Sequence, residues 1–300
     1  MTWTAIALVI ASAVIHAAWN LRSKQRSNSV PAFFVVTLLG TLCIIPVLIP
    51  FAHLLPSIPR QVWLLLAITG IAQAAYYIGL AHAYRLSDIS FAYPVARSLP
   101  VLAVPIATTL LGQGEAIQPM AWTGMVLIVA GVLLLPLTRF ADLHPRIYLS
   151  HDFLAVGLAA AGTTAYSVID DHALRLLRDT PGWNAVAAPA VYIVLEALFS
   201  ATWLGLFALL PRDSRKQVGE VLRKERLHPA ITGVMIFLAY GLILAAMAFA
   251  ANVGYIVAFR QLSIPLTAIA GIVLLREKCH RPRVVGMIIV TAGLLLVKLG

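Results

Sequence analysis

Two arginines stand isolated in apolar runs, and their positions suggest what chemistry the chain can do. Arg97 lies between Pro94 and Pro100, and Arg260 lies five residues before Pro265, 163 residues further on. A guanidinium at hydrocarbon depth costs several kcal/mol unless it meets an anion, a carbonyl or a wet cavity. Proline nearby frees backbone groups, as in the interrupted helices that build ligand sites in membranes. A planar fork of N–H donors suits a carboxylate, phosphate or phosphonate. The expected ligand is therefore a small anion-bearing solute. Snorkelling of a long side chain to the headgroups is the alternative.

Glu196 is the acidic residue at the centre of an uncharged run, VYIVLEALFS. Ionised and unpaired it would be very costly, so it takes a proton, faces a substrate amine or pairs with Arg97 or Arg260. His16 and Asn20 are four residues apart and share a helical face, with Trp19 beside them. In the second half of the chain Thr163, Tyr166 and Ser167 occupy the corresponding run. Tyr93 and Tyr255, with Tyr76 and Tyr77, are further candidates for a cavity wall.

Other polar residues carry less. Asp170 and Asp171 close an apolar run and are expected to be solvated. Glu115 and Glu277 belong to short loops, where capping or salt-bridging is expected. Two glycine pairs, Gly124 with Gly131 and Gly286 with Gly293, each seven apart, suit close helix packing. Cys43 and Cys279 are the two cysteines, one in an apolar run and one in a charged loop, so no disulfide is expected. No His-Glu-x-x-His, Gly-x-Ser-x-Gly or Cys/His cluster occurs. Neither a catalytic residue, a metal site nor a cofactor is expected.

The elements that must position these residues follow from composition. Hydrophobic residues make up 61% of the 300 and charged residues 11%, with a mean hydropathy of +0.90. A soluble chain has about 45–50% apolar and 25% charged residues. Ten apolar spans lie near 3–21, 30–50, 62–83, 90–111, 119–137, 153–173, 183–210, 229–251, 254–275 and 284–299. Each is near the ~20 residues that cross a bilayer. The longest connection, about 211–229, is too short to be a soluble domain. The first run lacks a basic start and carries its charges afterwards, the reverse of a secretory signal, so it is expected to be retained.

The chain also repeats itself. GMVLIVAGVLLL from Gly124 matches GMIIVTAGLLL from Gly286, and Glu115 and Glu277 each stand nine residues before these phrases. Five spans per repeat is an odd number, so the halves would be inverted in the membrane. The net charge of +10 is distributed accordingly. Sixteen of the 22 Lys and Arg residues fall in connections after odd-numbered spans and four on the other side. The positive-inside rule then puts both termini outside, and explains the charge without nucleic acid.

The segments IHAAWNLRSK at 15–24, AYRLSDISFAYPVARSLP at 83–100 and the paired Glu-x8-Gly-x6-Gly endings resemble the EamA-type family of the drug/metabolite transporter superfamily. The resemblance implies an all-α polytopic membrane protein with ten transmembrane helices in two inverted five-helix repeats, residues 1–140 and 150–300. It implies a central cavity between helices 1–4 and 6–9, and a secondary transporter of small metabolites such as amino acids, working by alternating access in a bacterial inner membrane. Characterised relatives generally have cytoplasmic termini, against the charge partition here. Partners are then a small molecule and the lipid bilayer, with a monomer expected and higher oligomers left open. A flippase for lipids or lipid-linked sugars would use the same arginines; an intramembrane enzyme is the remaining alternative.

Overall fold

A computed structural model describes residues 1–23, 29–86, 89–113, 115–143, 152–276 and 280–300. Among them there is no strand. The α-helices are α1 (Trp3–Ser23), α2 (Val30–Ile44), α3 (Arg60–Leu86), α4 (Ile89–Leu110), α5 (Pro119–Leu134), α6 (Asp152–Arg178), α7 (Ala187–Leu209), α8 (Arg212–Lys224), α9 (Leu227–Met247), α10 (Val253–Phe259), α11 (Ser263–Leu275) and α12 (Arg281–Leu299).

Among the described residues, six stretches are long and apolar enough to cross a membrane: Val30–Ser57, Arg60–Tyr84, Ala187–Leu209, Leu227–Met247, Val253–Leu274 and Arg281–Leu299. Trp3–Trp19, Val95–Leu110 and Pro119–Leu134 are shorter apolar helices. At 27 residues α6 is long enough, about 40 Å at 1.5 Å per residue, but it carries more charge. The outer surface is apolar: Leu64, Leu110, Leu154, Leu206, Val273 and Ile288 are all exposed. Such a surface requires lipid rather than water.

Local sequence explains the helix ends. The Ser29 hydroxyl accepts from the Ala32 N–H and Pro31 opens α2, a standard N-terminal arrangement. Pro46, Pro50 and Pro56 then prevent an α-helix, and the chain continues as 3-10 turns over Ile45–Ser57. Pro119 opens α5 and Pro282 opens α12. The 211–229 connection is itself helical: α8 buries Val218 against α2 while Arg212, Arg223 and Lys224 remain on its exposed side.

Packing is reciprocal. α3 lies against α6 and α1 against α9; α4 lies against α6 and α1 against α11. α5 and α12 pair antiparallel through their glycines. A Cβ on Gly124 would meet the Gly293 carbonyl at 2.5 Å, and one on Gly131 would meet the Gly286 carbonyl at 2.7 Å. The same residues that repeat in sequence therefore meet one another in space, with the pairing crossed over. α2 and α9 cross as closely at Gly40 and Gly233.

The span read at 254–275 is broken. Asn252 caps α10 with its side-chain oxygen 2.8 Å from the Gly254 N–H. After Phe259 the chain tightens to a 3-10 turn, Arg260–Leu262, before α11 begins at Ser263. Pro265 has no N–H to give back to this turn.

Candidate functional site

The break in the second half holds Arg260, and α4 brings Arg97 to it. Both arginines are buried, and neither points to the lipid surface. Their surroundings differ. Arg97 donates through Nη1 to Ser263 Oγ at 3.0 Å and through Nη2 to the Arg260 carbonyl at 3.3 Å. It therefore binds the broken backbone. Arg260 donates through Nη2 to Tyr166 OH at 3.4 Å, and its guanidinium lies 5.2 Å from the centre of the Tyr240 ring. Its Nε and Nη1 have no hydrogen-bond partner among the described residues.

These groups border a partly open cavity of about 60 Å³ lined by residues of α1, α2, α3, α6 and α9, including His16, Trp19, Gln73, Tyr76, Tyr166 and Tyr240, and by Arg260 of the 3-10 turn. A space of about 20 Å³ sharing His16, Tyr76, Tyr166 and Arg260 reaches Arg97, Thr163 and Gln261. The Trp19 indole N–H donates to His16 Nδ1 at 2.8 Å. A neutral imidazole accepting there carries its hydrogen on Nε2, and that atom is buried without a partner among the described residues. The cavity thus presents unmatched donors from two sides: an imidazole N–H and two guanidinium N–H edges.

Glu196 lies behind this wall, buried in α7. It forms no ion pair with either arginine. Gln73 Nε2 donates to its Oε1, and its Oε2 has no donor among the described residues. Beside it stands the carboxyl group of Asp170.

Asp170 and Asp171 correct the sequence reading, which left both solvated. Helix α6 does not end after the apolar run but continues to Arg178, so both are interior residues, at 0% and 2% exposure. Asp171 is matched by Arg175 Nε at 2.9 Å, one turn on. Asp170 is matched by three hydroxyls. Thr69 and Tyr192 donate to its Oδ1 at 2.6 and 2.8 Å, and Tyr240 donates to its Oδ2 at 2.6 Å.

Of the residues singled out from sequence, the fold brings together Arg97, Arg260, His16, Trp19 and Tyr166, with Glu196 one layer behind. Tyr255 is placed elsewhere: its OH accepts from the Gln118 N–H and donates to the Gly300 carbonyl, each at 3.4 Å, beside the start of α5. The side chains of Asn20 and Tyr93, and all of Glu277 and Cys279, lie outside the described residues. Glu115 contributes backbone rather than carboxylate: its carbonyl accepts from Asn252 Nδ2 at 3.1 Å and its N–H donates to the Ala251 carbonyl at 3.2 Å. Sequence reasoning passed over Thr69, Gln73, Tyr192 and Tyr240. Helical spacing held the clue, because Thr69 is one turn from Gln73, Tyr192 one turn from Glu196 and Tyr166 one turn from Asp170.

A larger recess of about 660 Å³ opens on the outer surface between α2 and α7. Its walls are almost entirely apolar, with Arg215 at one end, and neither Arg97 nor Arg260 borders it.

Residues 3–137 match the model of the EamA-like transporter family. A curated protein of Sinorhizobium sp., described as an uncharacterized transporter in the cobO 3' region, is 35% identical over 79 residues, which cover 26% of this chain and 55% of the relative. The match thus spans about half the length of that relative. A solved structure, described only as a crystal structure of a protein, is similar over 98% of this chain and 97% of its own, with a TM-score of 0.65 and 17% identity. At that identity the likeness concerns the fold alone.

Proposed function

We infer, from the match of residues 3–137 to the EamA-like transporter family, that the whole chain is a multi-pass membrane transporter of a small solute bearing a carboxylate, phosphate or phosphonate. Amino acids and related compounds are the nearest class. The protein acts in a bacterial inner membrane, by alternating access between two inverted five-helix repeats that make up ten spanning helices. The crossed pairing of Gly124 with Gly293 and Gly131 with Gly286 supports the inverted relation. So does the exchange of partners between α1 and α6.

The observation that carries the substrate class is the pair of partnerless nitrogens on buried Arg260. A buried charge-assisted donor left unmatched is costly, and an anionic group arriving from the cavity would remove that cost. The cavity, at about 60 Å³, has room for a few waters at roughly 10–15 Å³ each but not for a metabolite. The protein must therefore open to load, which supports alternating access. The flippase reading has one observation in its favour, the lateral recess between α2 and α7. That recess lacks both arginines, so a headgroup seated there would not meet them, and the carrier reading is the better supported.

The test is a thermal-shift screen of the purified protein against amino acids, carboxylates, phosphates and phosphonates, with hits followed as flux into sealed vesicles. Stabilisation by an anionic solute that disappears in Arg260→Ala, and passage of that solute unchanged, is the expected result. A hit that chemically alters the solute, or stabilisation confined to uncharged compounds, would overturn it.

A further inference from the structure

The carboxyl groups of Asp170 and Glu196 are side by side, and neither borders the cavity. What separates them from it is Gln73 and Tyr240, both of which line it. Each wall residue holds one acid: Gln73 Nε2 donates to Glu196 Oε1, and Tyr240 OH donates to Asp170 Oδ2. A substrate amine in the cavity therefore meets an amide and a phenol, not a carboxylate. A proton needs no such room.

The two acids are served unequally. Asp170 accepts three hydroxyl hydrogen bonds, from Thr69, Tyr192 and Tyr240. Such a set favours a carboxylate. Glu196 accepts one, and its Oε2 is fully buried with no donor. Two adjacent carboxylates in an apolar interior cannot both be charged cheaply, and a hydrogen between them satisfies the orphaned oxygen. The charged and titratable groups that face the pair are Tyr192 on α7, Tyr240 on α9 and Arg260 beyond the Tyr240 ring. From α3 the facing groups are the uncharged Thr69 and Gln73.

We propose that Asp170 and Glu196 hold a single proton between them, and that Tyr240, bonded to Asp170 and stacked under Arg260, links this proton to the charge seated at Arg260. The inference rests on the transporter reading and names its coupling ion. An anion at Arg260 places negative charge near the pair and favours a second proton there; by reciprocity, protonation of the pair favours the anion. Solute and proton then bind together, the requirement for symport.

The experiment is an infrared pH titration of carboxyl groups in the full chain, held in lipid nanodiscs with no solute added. The wild type is expected to show one buried protonated carboxyl that is absent from Glu196→Gln. In Asp170→Asn the Glu196 carboxyl survives, but with its negative neighbour gone it ionises at a pH lower by about one unit or more. Tyr240→Phe, which conserves shape, and Arg260→Gln each remove support for negative charge and move the loss of the proton to higher pH. A band indifferent to Glu196→Gln, or one that Asp170→Asn leaves at the wild-type pH, overturns the shared proton. Unchanged titration in both Tyr240→Phe and Arg260→Gln overturns the link. Should Glu196→Gln fail to fold, the other three variants retain Glu196 and decide the matter. Because no solute is involved, an empty thermal-shift screen would sink the substrate-anion reading while leaving this result standing.

Discussion

A single methyl group placed on Gly233 tests whether helix approach holds the site. A Cβ there would stand 2.3 Å from the Val36 carbonyl oxygen and 2.7 Å from Gly40 Cα, both backbone atoms on α2. Ordinary contact begins near 3.4 Å, so α2 and α9 must part by about 1 Å. A gap of 0.5–1 Å forfeits roughly a quarter to a half of each dispersion contact across the seam. Overpacking of this kind costs about 1–3 kcal/mol, and with only backbone to yield the upper end is expected. The gain from replacing glycine within a helix, about 1 kcal/mol, opposes it but does not prevail. Gly219, in α8, is the control, since nothing lies within 4 Å of its Cβ position. There the same substitution should stabilise by up to about 1 kcal/mol. Thermal unfolding of the detergent-solubilised protein reads both. Gly233→Ala should melt earlier and Gly219→Ala no earlier than the wild type. Tyr240 lies two turns beyond Gly233 on the same face, so Gly233→Ala should also weaken solute-induced stabilisation. A Gly233→Ala protein as stable as the wild type would refute the claim that α2 and α9 are held by backbone contact.

Arg260→Ala should abolish transport and lower the melting temperature little, because it gives up one long hydrogen bond to Tyr166 and the contact with the Tyr240 ring while removing two nitrogens unmatched among the described residues; Arg260→Lys should recover little, since an ammonium lacks the fork. Arg97→Ala should lower both, as it removes the bonds to Ser263 and to the Arg260 carbonyl, and a melt that stays unchanged would count against that role. A C-terminal alkaline phosphatase fusion should be active and a green fluorescent fusion dark, following the partition of Lys and Arg. Asp142, in the exposed turn after α5, is held below the usual carboxylate range by the Thr138 hydroxyl and then the Arg139 N–H. Its contribution to that turn is present at neutral pH and lost as the pH falls through its depressed pKa, which carboxylate NMR would show as a titration more acidic than that of a free aspartate.

The sequence made the helical, membrane-embedded architecture legible because hydrocarbon imposes length and polarity on every span at once. The glycine phrases were legible as packing seams, since small residues at a spacing of seven have few other uses in a helix. Asp170 was hidden for the same reason. A pair of aspartates after an apolar run resembles a helix end, and only a fold that stacks Thr69, Tyr192 and Tyr240 against one face makes an interior acid tolerable. The arginines were found by rarity, but rarity could not divide their roles. That depends on the turn Arg260–Leu262 and the residue after it, since the Arg260 carbonyl and the Ser263 hydroxyl draw Arg97 inward. Tyr255, whose hydroxyl meets the Gln118 N–H and the Gly300 carbonyl, was not separable from the cavity tyrosines because tyrosine suits a helix end as well as a pocket.

The grip of Arg97 on the turn that carries Arg260 bears on electrical bookkeeping. Two equivalent cations suggest two anion seats and a doubly charged load, yet one of them is already committed to the Arg260 carbonyl and the Ser263 hydroxyl. That leaves one seat, and a monoanion carried with one proton would move no net charge. Flux should then respond to a pH gradient and be indifferent to membrane voltage, a distinction that valinomycin-clamped vesicles can draw directly.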